Sequence, residues 1–332
     1  MPIFIASTTP AAPLASDETM AFHTFSGYVQ AVCAWATALY PHPDGMVAGV
    51  ADAVKARPWR ATTPTGKVLS PRAGQILRNG WATEVLLNAP RALGGGALVS
   101  FANLWAPVQA YYAVFNSFTA MAHVLSVTPP ETHVKLLNWA ANAAGQASMP
   151  FVSPWTARVG GAPDAWTHHD FGAARLNLGI SNLTEPRAST APSLLALALR
   201  TTRAEQINEK RPGWIAAQPP TRAGTRRRNL DRAVLIANAT RMRSTTLFDL
   251  LWRLRIRSNY REGDDFLTGA LSEADAAAFH GALCDIVAAT LLTVEIYLAQ
   301  VVGAADLAAC ARRVPIPPAL EADSVLARMH RW

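Results

Sequence analysis

The chain has 332 residues, half of them apolar and 16% charged, with a net charge of +7. That is enough apolar material for a sizeable core and excludes an intrinsically disordered chain. Cys33, Cys284 and Cys310 stand far apart and make no CxxC or Cys/His spacing, so they indicate neither a disulfide framework nor a zinc site and fit a reducing, cytoplasmic setting.

Ala, Leu and Arg dominate, and alternating Val/Ile/Thr/Tyr runs are few, which favours an all-α protein; no hairpin pair is recognisable. Residues 1–20 lack the basic start and long apolar run of a secretory signal and read as a disordered leader, with Met1 or Met20 as the start. Residues 21–95 read as an N-terminal helical extension. Phe22, Phe25, Tyr28, Val29, Val32, Trp35 and Leu39 recur at helical spacing until Tyr40-Pro-His-Pro-Asp-Gly45 stops the helix. Met46–Ala56 forms a second helix. Ser70-Pro71 offers a cap and a first-turn proline for a third, carrying Ile76, Leu77, Trp81 and Val85 and ending by Pro90. Gly94-Gly-Gly96 is a connector, since no strand precedes it and no Lys-Ser/Thr follows.

Residues 96–310 read as one helical core. Leu98–Leu125 is an uncharged helix with Phe101, Leu104, Trp105, Val108, Tyr112, Phe115 and Met121 on one face, and Pro107 either kinks it or marks its true first turn. Its polar residues, Asn103, Gln109, Asn116 and His123, argue for a central bundle helix and against a membrane span. Glu131-Thr-His-Val-Lys-Leu-Leu-Asn-Trp139 opens the next helix. Residues 148–225 read as an irregular insertion in which Ser193–Glu209 is helical and Pro212–Gly224 is loop. His168-His169-Asp170 falls here, but adjacent histidines point apart and no third ligand lies at helical spacing, so no metal is assigned.

Between Arg200 and Arg257 there are 14 Lys/Arg against Glu205, Glu209, Asp231 and Asp249, which makes this segment the natural face for a polyanion. Arg226-Arg-Arg228 heads a long helix or helix pair running to Ser258, and three arginines at a helix start oppose the macrodipole, which favours a ligand role for them. Leu247–Val302 is a helical hairpin with a polar hinge, Arg255–Phe266. Arg257 continues the Leu247, Leu250, Leu254 stripe and is expected to point into the hairpin junction, where Asp264, Asp265 or Glu295, an anionic ligand, or the carbonyls of its own helix end would satisfy it. The last long helix starts at the Ser272 cap. Val314-Pro-Ile-Pro-Pro318 ends the core, and 311–332 reads as a tail.

Ala110-Tyr-Tyr-Ala-Val-Phe-Asn-Ser-Phe-Thr-Ala-Met-Ala122, then Thr132-His133, and the hairpin Leu254-Arg-Ile-Arg-Ser-Asn-Tyr260 to His280 together resemble the HEPN superfamily of small helical bundles. The resemblance covers about residues 98–140 and 245–302. It implies a HEPN-like bundle, often dimeric, and in many members a metal-independent ribonuclease of toxin–antitoxin or antiphage systems whose signature is an Arg followed four to six residues later by a His. Here Arg257 is followed at those offsets by Arg261, Glu262 and Gly263.

The leading expectation is therefore a protein that binds RNA or a partner protein through Arg226, Arg227, Arg228, Arg253, Asn259 and Tyr260, with a degenerate ribonuclease site. An active ribonuclease using Arg257 and His280 is the enzyme alternative, because metal-free cleavage needs a proton acceptor and a cation on the phosphate. A non-catalytic interaction protein is the third. A homodimer is expected, since Tyr111, Phe118 and Trp105 cannot all face one partner helix. No cofactor, metal or DNA-binding motif is assigned.

Overall fold

The computed structural model describes residues 17–125, 132–163, 165–176, 190–220, 227–261 and 263–332. Of these, 72% are helical and 4% are in strands, so the protein is all-α with one small sheet. The N-terminal half comprises α1 (Asp17–Leu39), α2 (Met46–Ala56), α3 (Pro71–Leu93), α4 (Gly96–Ala102), α5 (Ala106–Val124) and α6 (His133–Ala144). After β1 (Arg158–Ala162) and β2 (Ala165–His169) follow α7 (Ala191–Ala216), α8 (Arg232–Arg241) and β3 (Thr245–Thr246). The chain then runs through α9 (Leu247–Ile256), a π-helical turn (Arg257–Arg261), α10 (Gly263–Thr268), α11 (Glu273–Val302), α12 (Ala304–Ala311) and α13 (Val325–Arg328).

Local chemistry sets several of these boundaries. Ser70, Thr132, Thr190 and Ser272 each accept a hydrogen bond from a backbone N–H of the first turn, satisfying a donor that has no partner within the helix. The apolar residues of the helices then merge into one core that extends from Phe22 to Val325. α11 lies at its centre. It is the one described helix long and apolar enough to cross a membrane, but 89% of its apolar window is buried by the rest of the protein, which is the environment of a core helix. α3 and α5 pack closely because Gly80 leaves room for the Ala113 carbonyl and Ser117.

The structure corrects several expectations. The stretch from Leu98 to Leu125 is two helices: Pro107 sits in the first turn of α5, and the buried Asn103 ties the corner to α11 by donating to the Ala276 carbonyl at 3.0 Å. Phe101 and Trp105 consequently face outward, 71% and 54% exposed. Tyr111 and Phe118 are buried within their own chain, so only Trp105 is left of the three aromatics that pointed to a second copy. Pro90 and Pro212 lie inside helices, so α7 runs to Ala216 where a loop was expected. Arg227 and Arg228 precede α8, which starts at Arg232; Arg226 lies outside the described residues.

The supposed tail and extension belong to the core. Arg328 is buried between two fully buried carboxylates, donating to both oxygens of Glu84 at 2.6 and 2.9 Å and to Glu295 at 2.7 Å. The indoles of Trp81 and Trp332 donate to Glu295 as well, at 2.8 and 3.1 Å. Glu295, proposed for Arg257, is thereby committed to Arg328.

A hairpin also exists. β1 pairs antiparallel with β2 and with β3 in the order β2-β1-β3. Gly161, at φ 78°, is required there, because a Cβ would meet the Ala165 carbonyl. Arg203 of α7 holds this sheet, donating to the carbonyls of Gly161, Arg243 and Ala239 at 2.8, 2.7 and 2.7 Å. A small satellite core of Ala162, Ile207 and Ala239 joins the sheet to α7 and α8.

Candidate functional site

The site is built on α9. Thr246 and Asp249 form a capping box, and the fully buried Asp249 also accepts two hydrogen bonds from Arg243, at 2.6 and 2.8 Å, and one from Gln206 at 2.9 Å. These bonds fix the rotation of α9. Trp252 and Arg255, three residues apart, then lie on one face, directed at Tyr111 and Tyr112 of α5.

Arg255 is only 7% exposed. Its guanidinium carbon lies 4.6 Å from the ring centroid of Trp252, 5.2 Å from Tyr112 and 5.7 Å from both Tyr111 and Tyr260. Nη2 donates to the Tyr112 hydroxyl at 2.9 Å. The π turn after α9 inserts the extra residue that swings Tyr260 back over this group. Arg255 forms no ion pair among the described residues, and its buried Nε has no hydrogen-bond partner there. Cation–π contact with desolvated rings contributes about 2 kcal/mol, whereas withdrawing an ion from water costs several kcal/mol. The described residues alone leave this cation undercompensated, so the site is suited to an anion.

His133, at the start of α6, completes the cluster. Its Nδ1 lies 3.0 Å from the Tyr111 hydroxyl, and its ring packs 4.7 Å from Phe115 and 4.9 Å from Trp252 between centroids. Burial, and then the Arg255 cation, holds the imidazole below its ordinary pKa. Burial raises the Tyr111 phenol, so both groups are neutral at physiological pH.

The residues proposed from sequence are placed differently. Arg257 points to Glu205 of α7, 3.5 Å away, with its guanidinium over Phe25 at 5.2 Å; Glu205 is an ion-pair partner that the sequence did not suggest, while Glu295 pairs with Arg328. Arg253 shares Glu205 at 2.6 Å and donates to Thr201 at 2.9 Å. His280 is fully buried, its ring nitrogens 3.1 Å from Asn103 Oδ1 and 2.9 Å from the Leu87 carbonyl. Burial lowers its pKa while the Leu87 carbonyl opposes the shift. Arg257 and His280 thus have separate surroundings, and both ring nitrogens of His280 are engaged. Arg227 donates to the Pro219 carbonyl and Asp231, each at 3.2 Å, and Arg228 is exposed. Of the proposed set, Tyr260, 66% exposed, stands at the Arg255 cluster, with half-buried Asn259 beside it in the chain. His168 and His169 lie on β2, Asp170 pairs with Arg158 at 3.0 Å, and no group of three metal-ligating side chains occurs among the described residues.

Arg255, Tyr112 and His133 went unselected, although all three fall inside the stretches that carried the family resemblance. The available signal was the Trp252/Arg255 spacing opposite the Tyr111-Tyr112 pair. Trp252, alone of the cluster, also borders a cavity of about 520 Å³ between α6, α7 and α9, so a cleft lies beside the cluster. The chain matches no protein-family model, and no curated protein or solved structure is significantly similar to it.

Proposed function

We propose that this chain is a HEPN-like helical protein that binds RNA, with Arg255 as its phosphate-binding cation and the family's ribonuclease spacing lost or rearranged. The observation that carries this reading is a buried guanidinium with no carboxylate partner among the described residues, ringed by Trp252, Tyr111, Tyr112 and Tyr260. A phosphate supplies the missing charge, and the exposed Tyr260 ring offers a surface on which an unpaired base stacks. Exposed Lys210, Arg211, Arg228, Arg232 and Arg241 on and around α7 and α8 add the salt-dependent attraction expected of a polyanion binder.

The test is fluorescence anisotropy of labelled single-stranded RNA across a salt series. Arg255→Gln is expected to weaken binding by about 30-fold or more, while stability stays level or rises, because an undercompensated charge has been removed. A purely architectural arginine would show the reverse. Unchanged affinity in the folded variant rejects the reading, and tight binding of an acidic protein in place of RNA would redirect it to a protein partner.

A second reading, metal-independent RNA cleavage, is favoured by His133. In the tautomer that donates from Nδ1 to Tyr111, Nε2 carries a lone pair with no hydrogen bond among the described residues, suited to take the 2′-hydroxyl proton while Arg255 stabilises charge on the phosphate. Cleavage of RNA in excess chelator by wild type and not by His133→Gln supports it; intact RNA with both proteins rejects it.

A further inference from the structure

The cleft beside Trp252 does not end at α9. Its cavity of about 520 Å³ shares Asn142 and Arg243 with a second one of about 290 Å³, which continues past the C-terminus of α6 to Arg158 of β1. The two form one groove along α6. The helix presents to it Val134, Asn138 and Asn142, four residues apart, and Gln146 follows two residues beyond the helix end. Asn138 Oδ1 already accepts from Arg243 Nε at 2.6 Å, which leaves its amide N–H groups. Asn142 and Gln146 are exposed, and their side chains make no hydrogen bond to the protein.

The opposite wall differs in chemistry. Lys210 of α7 and Arg241 of α8 line it beside Glu209 of α7; all three are exposed, and the two cations make no hydrogen bond or ion pair among the described residues. Arg243, Arg253, Asp249 and Glu205 lie deeper and neutralise one another. One wall therefore offers carboxamides, which can both donate and accept, and the other offers two cations with one carboxylate, Glu209.

The spacing selects among nucleic acids. Asn138 and Asn142, four apart on α6, are separated by about 6 Å along its axis, wider than the roughly 3.4 Å between stacked bases of a duplex strand. An unstacked single strand sets one base against each carboxamide, and a duplex does not. Carboxamides pair two-fold with the N6 and N7 edge of adenine.

From this we infer that the α6 groove is a base-reading extension of the Arg255 site, which takes single-stranded RNA with adenines against Asn142 and Gln146 and phosphates on Lys210 and Arg241. The inference rests on the RNA-binding reading above. It adds sequence preference to it.

The experiment compares labelled eight-nucleotide oligoadenylate, oligouridylate and oligocytidylate by anisotropy, on wild type and on Asn142→Ala/Gln146→Ala. Both substituted side chains are exposed and make no hydrogen bond to the protein, so the variant is expected to fold, and its unfolding midpoint is checked first. Wild type is expected to prefer oligoadenylate by about tenfold or more. The double variant is expected to lose that preference and retain its affinity for oligouridylate and its salt dependence, because the phosphate contacts remain. Equal binding of the three oligomers by wild type, or an unchanged preference in the variant, overturns the inference. Displacement of oligoadenylate by an RNA duplex or by polyglutamate as effective as by unlabelled oligoadenylate overturns it too. If oligouridylate binding is abolished by Arg255→Gln yet adenine is not preferred, the Arg255 reading stands and the base-reading groove falls; if wild type binds none of the oligomers, both fall.

Discussion

Replacing Arg328 by alanine is expected to destabilise the protein by about 3–5 kcal/mol, because it strands two buried carboxylates that share one guanidinium. Glu84 and Glu295 are both fully buried, and Arg328 donates to each of them. The substitution also frees residues 325–332 from α3 and α11, and with them the Trp332 hydrogen bond to Glu295. Urea unfolding of wild type and variant measures the loss. A change below about 1 kcal/mol, the range of an exposed ion pair, would show that the triad contributes little. The same cluster predicts a pH dependence. Burial pushes Glu84 up from 4.5 to about 7, with Arg328 pulling it down and Glu295 adding to the rise. Across that window the folded protein retains a proton that the unfolded chain has released, so the Glu84 contribution to stability falls as pH rises from about 4.5 to 7 and is level above it. Glu84→Gln is expected to flatten this slope; an unaltered profile would assign the pH dependence to other groups.

Arg203→Ala is expected to loosen the small sheet and the α7–α8 lobe. The side chain is fully buried, and it satisfies three carbonyls on three different segments. Burial lowers its pKa to about 10 against the pull of Asp249, so it remains a cation at neutral pH. Each stranded carbonyl costs about 1–3 kcal/mol, and charge-assisted bonds lie at the upper end. Because the loss is confined to one side of the molecule, hydrogen exchange is the discriminating measurement. Amides of 158–169 and 232–246 are expected to exchange much faster, while those of α11 keep their protection. Uniform acceleration throughout the chain would mean that the lobe and the bundle unfold as one unit.

The helices were legible because their signals are local. Ser70-Pro71, Thr132 and Ser272 announce helix starts by side-chain chemistry that acts within three residues, and the caps form as read. Met46–Ala56 and the hairpin of α9 and α11 follow from apolar spacing alone. The β-hairpin was not legible. Arg-Val-Gly-Gly-Ala has no strand propensity to speak of, and its pairing is held by Arg203, 42 residues away in sequence. The Leu98–Leu125 stretch read as one helix because every letter in it suits a buried helix; the break comes from Asn103 reaching Ala276, a contact no local pattern encodes.

The arginines divide in the same way. Sequence alone determined that the 200–257 segment is basic and that α9 ends in a polar hinge, since composition and periodicity are properties of neighbours along the chain. Which arginine is held by an acid, and which is not, only the tertiary structure decided. Arg253 and Arg257 meet Glu205, and Arg328 meets Glu84 and Glu295, on helices far apart in sequence, while Arg243 meets Asp249 six residues on. Among the described residues Arg255 faces rings and a phenol. The helical stripe predicted that Arg257 would point into the hairpin junction, but it points to Glu205 of α7, and the buried arginine is Arg255, on the regular part of α9 that precedes the π turn. Ion pairing depends on three-dimensional proximity at about 4 Å, and Arg253 and Arg255, two residues apart on one helix, meet an acid and a set of rings respectively.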